Sequence, residues 1–186
     1  MEQQIFNYLQ KNLSPERYYH TLCVYELAIK LAKFYKADIY TVSTAALLHD
    51  CAKWMNTEQS KKHIIKNNIK FKHSNFVIQY LPQVLHSYIG ADIAQKTFNI
   101  KNKNIINAIK HHTVGRINMT IYDKIIFVAD SLSADREHKL PVSKKDIFGK
   151  LDDIFKIVLQ NKINYVVSQF KILHPDIINI WNFYNK

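Results

Sequence analysis

Six side chains, His20, His49, Asp50, His86, His112 and Asp130, are of types that bind metal ions, and each falls at or near the end of an apolar helical stripe. An isolated histidine on such a stripe is ordinarily a core residue with one hydrogen bond. Here separate helices each deliver one, and burying several unpartnered polar groups costs on the order of a few kcal/mol apiece. One metal centre would satisfy all of them. Imidazole and carboxylate without thiolate suit iron, manganese, zinc, cobalt or nickel better than calcium, which prefers oxygen cages, or a structural zinc, which favours cysteine. Six candidate ligands exceed what one open catalytic ion takes from protein. The surplus fits two ions roughly 3.5–4 Å apart, sharing a bridging carboxylate and a bridging hydroxide, an arrangement suited to hydrolysing phosphate esters and anhydrides. The expected cofactor is therefore two transition-metal ions, iron ahead of manganese, cobalt, nickel or zinc.

The elements that must position these groups are helices. Ser14-Pro15-Glu16 predicts a helix start, because Ser caps free N–H groups and Pro at the first position gives up a donor that had no partner. The helix should run to about Lys36, with His20, Val24, Leu27 and Leu31 on its buried stripe. Asp38 can cap a second helix, apolar nearly all round through Val42, Ala45, Ala46, Leu47 and Leu48, as a central core helix is. Thr57 should open a basic helix to about Asn67, followed by a loop with a short helical piece around Phe76 to Tyr80. Val84 to Phe98 and Asn102 to His112 both read as helices whose stripe includes a histidine, and Thr120 to Ser131 aligns Asp123, Ile126, Phe127 and Asp130. Two more helices should fill Asp146 to Leu173 and Asp176 to Tyr184. The expectation is an all-α single-domain bundle with a metal-binding core at about 15–135 and C-terminal helices at about 146–184.

Composition agrees. A chain of 186 residues is the size of one domain, and three Gly and four Pro are too few for an all-β chain with many turns. No apolar run approaches the roughly 18–20 residues that cross a bilayer, so no membrane partner and a cytoplasmic setting are expected. Cys23 and Cys51 have no CxxC spacing and read as small core residues. The formal charge of +11 would suit an anionic partner, but the lysines are scattered, and the densest group, Lys61 to Lys72, reads as a solvated helix face.

The ordered segments Arg17-Tyr18-Tyr19-His20-Thr21, Ala46 to Lys53 with His49-Asp50, Leu85-His86 with Gly90-Ala91, His112-Thr113 with Gly115-Arg116, and Phe127-Val128-Ala129-Asp130 resemble the H…HD…H…H…D signature of HD-domain phosphohydrolases. More narrowly, the sequence resembles the bacterial HD-domain group that cleaves diadenosine tetraphosphate symmetrically into two ADP; Leu173-His174-Pro175-Asp176 is similar to a late turn of that group. The resemblance implies that His20, His49, Asp50 and Asp130 bind the first metal, that Asp50 bridges, and that His86 and His112 complete the second. It implies a dinucleoside polyphosphate substrate and a homodimer. Asp50 and Lys53 are then the catalytic candidates, and Arg17, Lys53, Arg116 and Arg136 the candidates for holding phosphates, Arg through its bidentate fork. Asp123 and Asp135 are either supports of the ligands or plain helix-end charges. His111, which diverges from His112 by about 100° around the helix, is read as a rim residue.

Two other functions compete. An HD-domain hydrolase of a nucleoside monophosphate or of guanosine tetraphosphate would share these ligands, since a metal set does not fix a substrate. A basic helical module binding RNA or DNA would need an aromatic and basic stripe that this chain lacks, so no nucleic-acid partner is expected.

Overall fold

Capping side chains mark the starts of five of the ten described α-helices. The computed structural model describes residues 1–136 and 146–186. Helix α1 spans Glu2–Asn12, α2 Pro15–Phe34, α3 Ile39–Leu48, α4 Thr57–Lys66 and α5 Ser74–Tyr80. After a 3-10 turn at Pro82–Val84 come α6 Leu85–Lys96, α7 Lys103–His111 and α8 Ile121–Leu132; a second 3-10 turn at Asp146–Phe148 precedes α9 Leu151–Ser168 and α10 Ile177–Tyr184. The Ser14 hydroxyl accepts from the Arg17 N–H at 3.3 Å and the Asp38 carboxylate from the Thr41 N–H at 2.8 Å, each satisfying a free donor of its helix end. Helix α4 opens at Thr57, as expected; its cap is Asn56, and Gln59 returns its side chain to complete a capping box. Thr120 and Asp123 do the same for α8.

Helix α3 is the centre of the molecule. Seven of its ten residues are buried, and α2, α7 and α8 pack around it, with α1 and α6 making smaller contacts. One contiguous apolar core runs through all of these. Helix α6 comes closest where it carries Gly90: a Cβ there would lie 3.2 Å from Ile109 Cγ2 on α7 and 3.3 Å from the Leu48 carbonyl oxygen on α3. That approach brings the His49-Asp50 end of α3 against the helices that carry His86 and His112.

Two differences from the sequence expectation have local causes. Helix α1 was not among the expected elements; it buries Ile5 and Leu9, four residues apart, in the core. The helix expected to fill Asp146 to Leu173 begins only at Leu151 and ends at Ser168, where Phe170 takes a left-handed backbone (φ 50°) and the Lys171 N–H turns back to the Val166 carbonyl at 3.0 Å. Such a turn is usually marked by glycine, and this one is not. Among the described residues no helix is long and apolar enough to cross a membrane.

Gly90→Val should lower stability by about 2 kcal/mol through overpacking between α3, α6 and α7. Chemical denaturation would measure it, and an unchanged midpoint would mean that the helices separate here at no cost.

Candidate metal centre

Helix ends leave carbonyls without helical partners, and three of the histidines use them. His49 follows α3 and holds its Nδ1 2.6 Å from the Ala46 carbonyl; His112 follows α7 with Nδ1 2.7 Å from the Ile109 carbonyl. His86, in the first turn of α6, sets Nδ1 2.7 Å from the Gln83 carbonyl of the preceding 3-10 turn. His20 lies inside α2, where carbonyls are already paired, and its Nδ1 instead faces Asp135 Oδ2 at 2.7 Å. A carbonyl or carboxylate can only accept, so in each ring Nδ1 carries the hydrogen and Nε2 keeps a lone pair. All four Nε2 atoms turn inward.

They converge on Asp50. Its Oδ1 lies 3.1 Å from His86 Nε2 and 3.5 Å from His112 Nε2, while Oδ2 lies 3.7 Å from His49 Nε2 and 4.0 Å from His20 Nε2. Asp130 Oδ1 stands 3.2 Å from His20 Nε2 and 4.0 Å from His49 Nε2. All six groups are buried. The donors form two groups with ligand spacing, His20-His49-Asp50 and Asp50-His86-His112, and Asp50 belongs to both.

Two features test whether these residues suit metal ions. His49 Nε2 is buried without a hydrogen-bond partner among the described residues, and His86 Nε2 and His112 Nε2 face each other at 3.1 Å. Two lone pairs repel at that distance, whereas a cation would satisfy both. Burial, reinforced by neighbouring His112 and His20 and only partly opposed by Asp50 and Asp130, pushes His49 down to about 4. His86 and His112 are likewise lowered, chiefly by burial, which keeps the rings neutral and ready to ligate. Burial works to raise Asp50, but His49, His112 and His86 outweigh it and hold the carboxyl well below the usual range. For Asp130 the same burial is outweighed by Lys162, His20, His49 and Arg136.

The expected phosphate-holding residues separate here. Arg17 donates from Nη1 to Asp50 Oδ2 at 2.9 Å, and Arg136 from Nη2 to Asp130 Oδ1 at 2.6 Å and from Nε to the Asp130 carbonyl at 2.9 Å. Lys53 is partly buried beside them, its pKa lowered by burial despite the attraction of Asp50. Arg116 is not brought to the cluster. It donates to Asp123 Oδ2 at 2.7 Å, the carboxylate that caps the opposite end of α8, and seven residues of helix, about 10 Å, lie between Asp123 and Asp130. The motif placed Arg116 near His112 in sequence, but the buried Asp123 takes its guanidinium. The open question over the two aspartates divides the same way: Asp135 supports His20, and Asp123 is a helix cap.

Lys162 on α9 was not expected. Its ammonium lies 3.3 Å from Asp130 Oδ2, 3.2 Å from the His112 carbonyl and 4.3 Å from the centre of the Phe127 ring. The available signal was a lysine in register with Phe155, Val158 and Leu159 on an apolar stripe. His111 is partly buried and lines a separate cavity rather than the cluster.

Among the described residues the protein is helical, and it gathers four imidazoles around a shared carboxylate in a centre that could hold metal ions. A family model described as HD domain matches residues 17–135, and the chain belongs to that family, as an HD-domain hydrolase. It is 31% identical over 176 residues to a Halalkalibacterium halodurans protein named bis(5'-nucleosyl)-tetraphosphatase, symmetrical, covering 94% of this chain and 91% of that one. A Staphylococcus aureus protein of the same name is 29% identical over 179 residues, covering 95% and 90%. A crystal structure of a Clostridium acetobutylicum protein, described as a predicted HD superfamily hydrolase involved in NAD metabolism, superposes with a TM-score of 0.90 at 30% identity over 100% of this chain and 97% of that one.

With ions removed by a chelator, lowering the pH from about 6.5 toward 4 should destabilise the protein. The unfolded chain protonates His49 in that window and the folded one does not, a difference of roughly 3 kcal/mol from this residue alone. Thermal melts of chelated protein across the window would show it; a flat profile would mean that His49 is solvated. Asp135→Ala should weaken metal affinity by about 10–100-fold by releasing the His20 ring, which competition with a chromogenic chelator would measure.

Proposed function

We propose that this protein is a metal-dependent phosphohydrolase that splits diadenosine tetraphosphate at its central anhydride into two molecules of ADP. The observation that carries the reading is the sharing of Asp50 between two ligand groups, each completed by imidazoles whose tautomers are fixed. The names of the relatives in Halalkalibacterium halodurans and Staphylococcus aureus support the substrate.

His20, His49, Asp50 and Asp130 would hold one ion, and His86 and His112 with Asp50 the other, iron being the first candidate. When bound, such a pair supplies Lewis acidity and a hydroxide nucleophile near neutral pH. The chain's own cations then decide where a polyphosphate lies. The side chains of Arg17 and Arg136 are 36% and 41% exposed, so each runs from a ligand carboxylate to the surface and has N–H donors left for phosphate oxygens. Lys53 and Lys162 flank the same carboxylates and offset charge that builds on the departing ADP. Asp135, by fixing the His20 tautomer, keeps that ring from rotating as charge develops.

Metal-quantified protein incubated with diadenosine tetraphosphate should yield ADP as the sole product, with about two ions per chain. ATP plus AMP would overturn symmetrical cleavage, and no turnover at full occupancy would overturn the substrate. Asp50→Ala should lose both ions and all detectable turnover, whereas His111→Ala should keep its metal. Full activity in Asp50→Ala would remove the basis of the mechanism.

A further inference from the structure

None of the six candidate ligands lines a partly open cavity of about 460 Å3 walled by the end of α7, the loop after it, α6, the loop before α5 and the start of α10. Its volume falls within the range of small-molecule sites. Three nitrogen donors on its walls lack partners among the described residues. The Lys110 ammonium has no carboxylate and lies 5.9 Å from the centre of the Tyr88 ring. Arg116 spends Nη2 on Asp123 and leaves Nε buried and unpaired. The His174 ring accepts the Asp176 N–H at Nδ1 (3.2 Å), so its hydrogen sits on Nε2, which is also buried and unpaired. Nε of Arg116 and Nε2 of His174 are closed off from solvent, so an oxygen-rich anion in the cavity would meet the Lys110 ammonium and the exposed part of the Arg116 guanidinium.

The one carboxylate on these walls, Asp176, is already engaged by Lys72 and by His73 Nε2 at 3.3 Å. This leaves the net character of the cavity cationic. Beside Lys110, Phe71 and Tyr88 stack face to face, with centroids 3.9 Å apart and planes 13° apart, which leaves the outer face of Phe71 for a further ring. Donors for phosphate beside a flat aromatic surface are the two requirements of a nucleotide: charge pairing for its phosphates and stacking for its base. Val114 and His174 also line a smaller, mostly apolar cavity of about 110 Å3, and Lys162 borders that one, so a continuous wall leads from here to the metal-ligand cluster.

We propose that this cavity binds a nucleoside phosphate, its phosphates on Lys110 and Arg116 and its base against Phe71. The nucleotide is either the half of the dinucleotide remote from the cluster or a free nucleotide. The first alternative rests on the function proposed above; the site itself does not.

The test is calorimetric titration of the metal-loaded full chain with ADP. Wild type should bind two ADP per chain, one at the cluster and one in the cavity, and Lys110→Gln should lose the second or bind it roughly tenfold more weakly. Lys110→Arg, which keeps the charge, should restore it and show that the loss is not one of folding. Equal stoichiometry and equal affinities in wild type and Lys110→Gln would overturn the proposal. Given two sites, a rise of roughly tenfold in KM for diadenosine tetraphosphate in Lys110→Gln, with kcat within about twofold, assigns the cavity to the remote half of the substrate. An unchanged KM assigns it to a free nucleotide. Should wild type fail to cleave the dinucleotide, the proposed function falls while the ADP titration still decides the cavity.

Discussion

A carboxylate buried among imidazoles, Asp50, is the constraint on which the rest of the architecture depends. Left alone in an apolar interior it would be protonated or would unfold its surroundings. Four rings, Arg17 and the nearby Asp130 cluster surround it instead. Each ring is useful only because its other nitrogen is already committed, and three of the four commitments are to carbonyls at a helix end or in a 3-10 turn. The centre therefore lies where helices stop. Ligands placed in helix interiors need a donated acceptor, as His20 needs Asp135.

This dependence explains how much of the site the sequence disclosed. Residues whose position follows from local periodicity, His20 on its stripe or His49-Asp50 at the end of an apolar helix, were readable because 3.6-residue repetition and capping act over a few residues. The pairings that complete the centre span more than a hundred residues for His20 with Asp135, and thirty-two for Asp130 with Lys162. Nothing in a local window marks them. Arg116 shows the opposite error: proximity to a motif suggested the cluster, but a buried cap about two helical turns from Asp130 was the stronger attractor.

The helical architecture was legible for a similar reason, since half of the described α-helix starts carry a capping side chain and the core helix α3 is apolar nearly all round. Its ends were less so. Helix α9 closes through a left-handed phenylalanine, a conformation that residue type does not advertise, and α1 carries a two-residue apolar face too sparse to stand out.

Lys162 lies beyond residues 17–135, the stretch that matches the HD domain, yet its ammonium stands against Asp130. The charge beside the candidate metal centre is therefore set from two distant parts of the chain, one supplying the carboxylate and the other the ammonium that balances it. A change on α9 alone would shift that balance without altering any of the six candidate ligands.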